Sequence, residues 1–439
     1  MEDAHDELLA AHGIDTVELA TPDVTGALRG KRLPLASFRE NGLAGEVGLS
    51  SAVLAWDYAM EVLEISDYDW KHGYADVFLR PDLGTMRVVP WKPRTALVFC
   101  DLVDARGEPV RLSPRTVLRE ARRRCEEAGY EPFFALETEF YVLDRRTRRP
   151  GSDRNPVYSL HDNVRLEPLL SEICTALEEA GVPVEACGGE YAPGQVEINL
   201  TPADPLAAAD DLLFFRYAVK QLAERHGYLA TFMGKPFGDL SGSGLHVHQS
   251  LWTPGRAENV FYDAARDGFS ATARHYAAGL LRYSGEAHLV AAPTPNAYKR
   301  LAEHSFAPVN LTWGVDNRSV AVRGLVRGHH GTRWESRVAA ADANPYLVQA
   351  YQLSAGLAGI AERAEPDPQA SSDPYTAPGA EPLPTHVADA AARLRDSPFA
   401  REVFGKECVE LLCAIARRED EAYRSQVSDW ERDRYLSAV

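Results

Sequence analysis

A chain of 439 residues is long enough for two or three domains around a well-buried core, and 45% hydrophobic with 25% charged residues is the composition of a globular protein. Its formal net charge of −17 weighs against nucleic acid or an anionic membrane as a partner, because the bulk field repels both. No apolar run approaches the ~20 residues of a membrane-spanning helix.

In chain order, the first segment, MEDAHDELLAAHG, is acidic and lacks the cationic-then-apolar pattern of a secretory signal, so a cytoplasmic location is expected. Residues 14–34 read as a hairpin turning at Pro22-Asp23, and Ser37 as the cap of a short helix. Residues 94–102 (RTALVFCDL) read as a buried strand. The polar stretch after it, 103–112, reads as a domain boundary. We therefore expect a small strand-rich domain over 1–105 and a larger one over 106–439. Ser113-Pro114 predicts a capped helix ending at Gly129, and residues 203–226 an amphipathic helix stopped by Gly227. Helical patterns also cover 268–283, 345–363, 385–396 and 399–425, with a Pro-, Ala- and Ser-rich surface loop over 364–384. Six cysteines, at 100, 125, 174, 187, 408 and 413, show no CxxC spacing, so neither a zinc ribbon nor a thioredoxin-like site is suggested. Cys125 and Cys174 are expected to be small buried residues.

Five strand-like segments place ionisable residues at alternating positions, hence on one sheet face. ALETEFYVL aligns Glu137, Glu139 and Tyr141. GGEYAPGQVEINL carries Glu190 and Glu197 around a Pro-Gly turn, with Gln195 and Asn199 beside Glu197. GSGLHVHQS aligns His246, His248 and Ser250; NRSVAVRG offers Arg318 and Arg323; TRWESR aligns Arg333, Glu335 and Arg337. Singly these have bland readings: a solvated face, a satisfied core histidine, a surface ion-pair ladder. Together, five glutamates and a histidine are hard ligands suited to Mg²⁺ or Mn²⁺, and the arginines suit carboxylate and phosphate. Metal with arginine clamps is the equipment of phosphoryl transfer, and no GxxxxGK[ST] loop is present.

With those segments in view, the chain resembles the glutamine synthetase family over nearly its full length. The resemblance rests on VFLRPDLGTMRVVPW, LETEF, EYAPGQVEI, ATFMGKPF, GSGLHVHQS, NAYKRL, DNRSVAVR, RWESR with DANPYL, and DWERDRYL. It implies an α+β fold: an N-terminal β-grasp domain, then a catalytic domain of curved antiparallel sheet and helices. It also implies stacked rings, such as a dodecamer, with active sites between subunits. Carried over, one metal falls to Glu139, Glu190 and Glu197, and the other to Glu137, His246 and Glu335. The cofactors implied are ATP and two or three Mg²⁺ or Mn²⁺ ions. Arg300, Arg337 and Gly242 would hold glutamate; Arg318, Arg323 and Arg333 would face the phosphates; Glu185, His248 and Ser250 would line the nucleotide pocket. The reaction implied forms γ-glutamyl phosphate, from which a neutral amine displaces phosphate.

Two departures bear on the amine. In the family's ammonium-using members an aspartate opens an Asp-Gly-Ser-Ser run and a glutamate precedes Ala-Pro on a flap. Here those runs are Gly48-Leu49-Ser50-Ser51 and RLAEHSFAPV, with Phe306 in the glutamate's place and Glu303 as the nearest acid. The expected acceptor is therefore a small organic amine, with Phe306, Gly48 and Leu49 as an apolar wall. Asp57 and Glu61 are candidates to hold the far end of a diamine. The readings held beside this one are an ammonium-using glutamine synthetase, an inactive scaffold or sensor, and an enzyme acting on a glutamate analogue.

Overall fold

The hairpin at the start of the chain is set by one aspartate. Asp23 Oδ1 accepts the backbone N–H groups of Thr25 and Ala27 at 2.9 and 3.0 Å, and Gly26 takes φ +82°, which closes the turn between β1 (Thr16–Pro22) and β2 (Leu28–Pro34). The computed structural model describes residues 2–65, 68–154, 157–160, 164–370 and 373–438. The remaining strands of the first sheet are β3 (Gly48–Ser50), β4 (Asp76–Pro81), β5 (Arg87–Val88) and β6 (Thr95–Val103). Their order is β2-β1-β6-β4-β3, with β5 on β6; β1 and β6 run parallel and the other pairs antiparallel.

The second sheet comprises β7 (Glu131–Asp144), β8 (Val184–Gly189), β9 (Gln195–Leu200), β10 (Tyr228–Thr231) and β11 (Gly244–Trp252), and continues after the small hairpin of β12 (Tyr262–Asp263) and β13 (Gly268–Phe269). Its last members are β14 (Trp313–Val315), β15 (Val322–Leu325) and β16 (Arg333–Ala340). The order is β14-β15-β16-β11-β7-β9-β8, with β10 on β7. All pairs are antiparallel, as expected of this sheet, except β14 with β15. The long helices Pro205–Arg225 and Pro345–Glu362 cover it with Leu212, Phe214, Phe215, Leu347 and Leu353 fully buried.

Two buried polar clusters join the first sheet to the rest. Arg115, fully buried, bonds Asp210 of the Pro205–Arg225 helix, Asp101 of β6 and Asp82. Asn344 caps the Pro345–Glu362 helix through Oδ1 and donates from Nδ2 to the carbonyls of Asp23 and Val24 in the hairpin turn.

Three local expectations are corrected. Ser37 ends the short Leu35–Ser37 helix and makes no cap, because the chain continues into a π-turn over Phe38–Gly42. Ser113 precedes the Pro114–Glu127 helix, but its buried hydroxyl makes no capping bond. The helix expected over 399–425 is two, Pro398–Phe404 and Lys406–Arg424, because Gly405 adopts φ +82° between them. Cys125 is buried as expected, whereas Cys174 is half-buried.

Candidate active site

The strand register assembles the acids. Across β7, β9, β11, β15 and β16, Glu137 stands opposite His246, Glu139 opposite Glu197, and Glu335 opposite both His248 and Arg323. The alternation that directs these residues to one face sends Leu136, Phe140, Val247 and Trp334 into the core on the other. Glu335 is only 1% exposed, so the Arg333–Glu335–Arg337 run is not a surface ladder.

Two groups of ligand atoms each lie within 4.8 Å of one another: Glu137, His246 and Glu335, and Glu139, Glu197 and His246. The first is the expected trio. In the second, His246 stands where Glu190 was expected; Glu190 hydrogen-bonds Glu197 from beyond β8, and its Oε2 accepts the Tyr191 N–H at 2.9 Å.

The electrostatics of this cluster are those of a site short of positive charge. Burial, then the neighbouring Glu190, pushes Glu139 up to about 8 against the pull of Arg300. Burial and the charges of Glu137, Glu190 and Glu139 push Glu197 up to about 10. Burial also raises Glu190. Burial works the same way on Glu137, but hydrogen bonds from His246 and His248 outweigh it and hold that carboxyl far below the usual range. Glu335 sits at about 2 because Arg337 and the two histidines outweigh burial. Burial and Arg337 hold His246 down at about 4, so its imidazole is neutral and free to act as a ligand. Carboxylates that hold protons at neutral pH beside a neutral histidine fit divalent cations, which would displace those protons.

Arginines close the other side. Arg300, 5% exposed, donates from Nη2 to the Arg337 carbonyl at 3.2 Å, and its Nη1 has no partner among the described residues. Arg337 pairs closely with Glu335, and its Nε is likewise buried and unpaired. Arg323 Nη1 bonds Glu335 at 2.9 Å, leaving Nε unpaired among the described residues. Unmade charge-assisted bonds of this kind are costly, and they fit an incoming anion. Gly242 is needed for the approach: a Cβ there would meet Arg300 Cγ and the Gly234 carbonyl at 2.7 Å. Gly244 is equally constrained, by Arg300 Nη2 at 2.7 Å and His246 Nε2 at 2.8 Å.

Arg333 donates from Nε to His248 Nδ1 at 3.1 Å, which assigns the His248 proton to Nε2, 3.3 Å from Glu137. Burial lowers the Arg333 pKa, and the charges of Glu335 and then of Glu185, an exposed residue of β8, oppose the fall. Ser250 accepts the Trp252 Nε1–H at 3.0 Å. Trp252 packs edge-on to Phe133, His329 and its neighbour His330 complete an aromatic wall, and Arg256 lies 4.0 Å over the Phe133 ring. Sequence reasoning missed this box, although Trp252 continues the alternation of His246, His248 and Ser250. It also missed the Gly244 N–H, which donates to Glu139 Oε2 at 3.0 Å.

Other candidates fall elsewhere. Arg318 lies in an exposed turn rather than on a strand, with its charge acting on Glu190. Glu303 and Phe306 are exposed residues of the loop after Arg300; Phe306 is 54% exposed and takes φ +62°, a left-handed conformation rare for an aromatic. Gly48 and Leu49 sit in β3 of the first sheet, paired with Phe78 and Val77. That segment is not acid-free in space: a Cβ at Gly48 would stand 3.1 Å from Asp76 Oδ2. Asp57 and Glu61, the candidates to hold a diamine, pair with Arg418.

Residues 111–435 match the family model described as the glutamine synthetase catalytic domain. The chain is 36% identical to a glutamate–isopropylamine ligase of a Pseudomonas species, over 99% of this chain and 97% of that protein. It is also 36% identical to a gamma-glutamylethanolamide synthetase of Streptomyces coelicolor, over 98% and 94%. Among solved structures, an apo form of GmaS superposes with a TM-score of 0.88 at 30% identity, covering 100% of both chains. Its ADP complex gives 0.87, covering 98% and 99%.

Proposed function

The chain belongs to the glutamine synthetase family, and from that premise we propose that it is an ATP-dependent ligase joining an organic amine to the γ-carboxylate of glutamate. The observation that carries this reading is the pair of buried, unpaired guanidinium N–H groups on Arg300 and Arg337 beside the carboxylate cluster. They fit the α-carboxylate of an amino acid held with its side chain toward the acids. Relatives named as a glutamate–isopropylamine ligase and a gamma-glutamylethanolamide synthetase support the choice of an alkylamine or amino-alcohol as acceptor.

Glu137, His246 and Glu335, with Glu139, Glu197 and Glu190, would hold two or three Mg²⁺ or Mn²⁺ ions, which supply charge neutralisation between two anions. Arg300 and Arg337 orient glutamate. Arg323, Arg333 and Arg318 meet the phosphates of ATP. Glu185, His248 and Ser250, with the Phe133–Trp252 box, form the nucleotide side. The γ-carboxylate oxygen attacks the terminal phosphorus; the bond to the bridging oxygen breaks, giving ADP and an acyl phosphate. The amine nitrogen then attacks the acyl carbon, inorganic phosphate leaves, and the nitrogen gives up a proton, for which Glu303 is the candidate acceptor. Phe306 presents its ring to the acceptor, and Gly48 and Leu49 reach it from a neighbouring copy in a ring such as a dodecamer. A cytoplasmic location accords with this chemistry.

One observation favours a second reading. Asp76 fills the space beside Gly48, so an acid able to hold ammonium remains. Phosphate release with ATP and glutamate, screened against isopropylamine, ethanolamine, a diamine and ammonium, separates the two. Release stimulated by an organic amine supports the ligase; release with ammonium alone supports a glutamine synthetase.

A further inference from the structure

A cavity of about 560 Å³ lies where the turn of the first hairpin, residues 25–28, meets the Pro205–Arg225 helix and the end of β10, and it shares no residue with the carboxylate cluster. Arg216 and Lys220 line it from the helix, one turn apart and hence on the same side. Both cations sit on one ring: Arg216 Cζ is 5.5 Å and Lys220 Nζ 6.0 Å from the centroid of Phe232. Neither is ion-paired with an acid among the described residues. Like charges at this spacing repel each other, and an anion held between them relieves the repulsion.

Arg216 is 8% exposed and fixed in place: its Nη2 donates to the carbonyls of Ala341 and Ala343, at 2.7 and 2.9 Å, on either side of Asp342. Its Nη1 lies under the hairpin turn, 3.7 Å from where a Cβ on Gly26 would stand, and its buried Nε has no partner among the described residues. Asp342 lines the same cavity. Its Oδ2 accepts from Thr294 Oγ1 at 2.7 Å, while its Oδ1 is buried without a partner among the described residues. Leu28, Leu213 and Phe232 supply apolar wall. Two cations, one acid and an apolar wall in one cavity are the complement of a zwitterion with an aliphatic side chain.

We propose that this cavity is a regulatory site for an aliphatic amino acid, with the carboxylate on Arg216 and Lys220, the ammonium on Asp342 Oδ1 and the side chain against Leu28, Leu213 and Phe232. An amino acid with an ionised side chain is rejected, because the apolar wall would strand its charge. Hydrogen bonds lead from this site to the proposed glutamate site. Thr294 Oγ1, which donates to Asp342, accepts the Ala297 N–H at 3.2 Å, and Ala297 opens the turn that ends in Arg300. An ammonium on Oδ1 completes the bonding of Asp342 and steadies that turn. Resting on the proposed function, this predicts a lowered KM for glutamate with the KM for ATP unchanged.

The test is calorimetric titration of the full chain with L-leucine, without ATP or amine. Binding should survive saturating glutamate, and it should weaken at least about tenfold for leucinamide, which lacks the carboxylate, and for 4-methylpentanoate, which lacks the amine. Lys220 is exposed, so K220A should fold normally and weaken leucine at least about tenfold, as should D342N. In turnover, leucine should lower the KM for glutamate about threefold or more in wild type and leave K220A unchanged. No heat with leucine, displacement of leucine by glutamate, equal binding of the amide and the deaminated acid, or full affinity in K220A and D342N overturns the proposal. So does bound leucine that leaves the KM for glutamate unchanged. If no amine supports turnover, the proposed function fails while the titrations still decide whether the site exists.

Discussion

At the scale of single residues, the site is a balance of buried charges that the free chain leaves incomplete. Glu335 pairs with both Arg337 and Arg323, so Glu335→Ala strands two buried guanidinium groups and should cost ~3–5 kcal/mol of stability as well as activity. Glu137→Gln keeps the shape and should abolish turnover with little change in melting temperature; turnover within about tenfold of wild type would remove Glu137 from the metal set. Arg337→Lys should fail to restore glutamate use, because a point charge cannot reproduce the guanidinium fork. An unchanged KM for glutamate in that variant would contradict the assignment. The raised carboxyls give a pH signature. Glu139 and Glu197 move from the ordinary 4.5 to about 8 and about 10, so the stability they contribute is complete below pH 4.5 and is lost as pH rises through those values. In chelator the melting temperature should fall across that window, and Mg²⁺ should flatten the fall. A curve that Mg²⁺ does not change would contradict a cation site there.

At the scale of elements, strand alternation made most of the site legible. Every acid of the two ligand groups lies where period-two reading of its own segment puts it. Pairing between strands was not legible: nothing in GSGLHVHQS says that His246 stands opposite Glu137 and shares both groups. Arg318 was misplaced because Asp316 turns the chain at φ +52° before β15 begins. The Ser113 and Ser37 caps failed because a capping residue type says nothing of whether its hydroxyl finds a free N–H. Gly405 was passed over because the apolar pattern on either side of it is helical. Asn344 is the joint between the elements, and Asn344→Ala removes a cap and two bonds to the hairpin turn. Denaturant titration should show a loss of ~2–4 kcal/mol, and a loss below ~0.5 would mean the hairpin is held otherwise.

At the scale of the whole molecule, the division near residue 105 remains our proposal, as does ring assembly. Val427, Trp430 and Leu436, at 74%, 61% and 79% exposed, are large apolar side chains near the C-terminus that association would cover. Light scattering should therefore give a mass many times the 48.3 kDa of one chain, and a monomer would contradict the proposed contribution of Gly48 and Leu49 from a neighbouring copy. The central claim is the identity of the acceptor. Phe306 stands in the place of one acid, while Asp76 lies beside Gly48, in the place of the other. The most direct measurement supplies isopropylamine and ammonium together at equal free-base concentration, with ATP, glutamate and Mg²⁺, and reads the ratio of γ-glutamyl-isopropylamide to glutamine by mass. Burial of two or three carbons should favour the amide by roughly ten- to a few-hundredfold, and Phe306→Glu should shift the ratio toward glutamine. Glutamine as the main product of the unmodified enzyme would contradict the account.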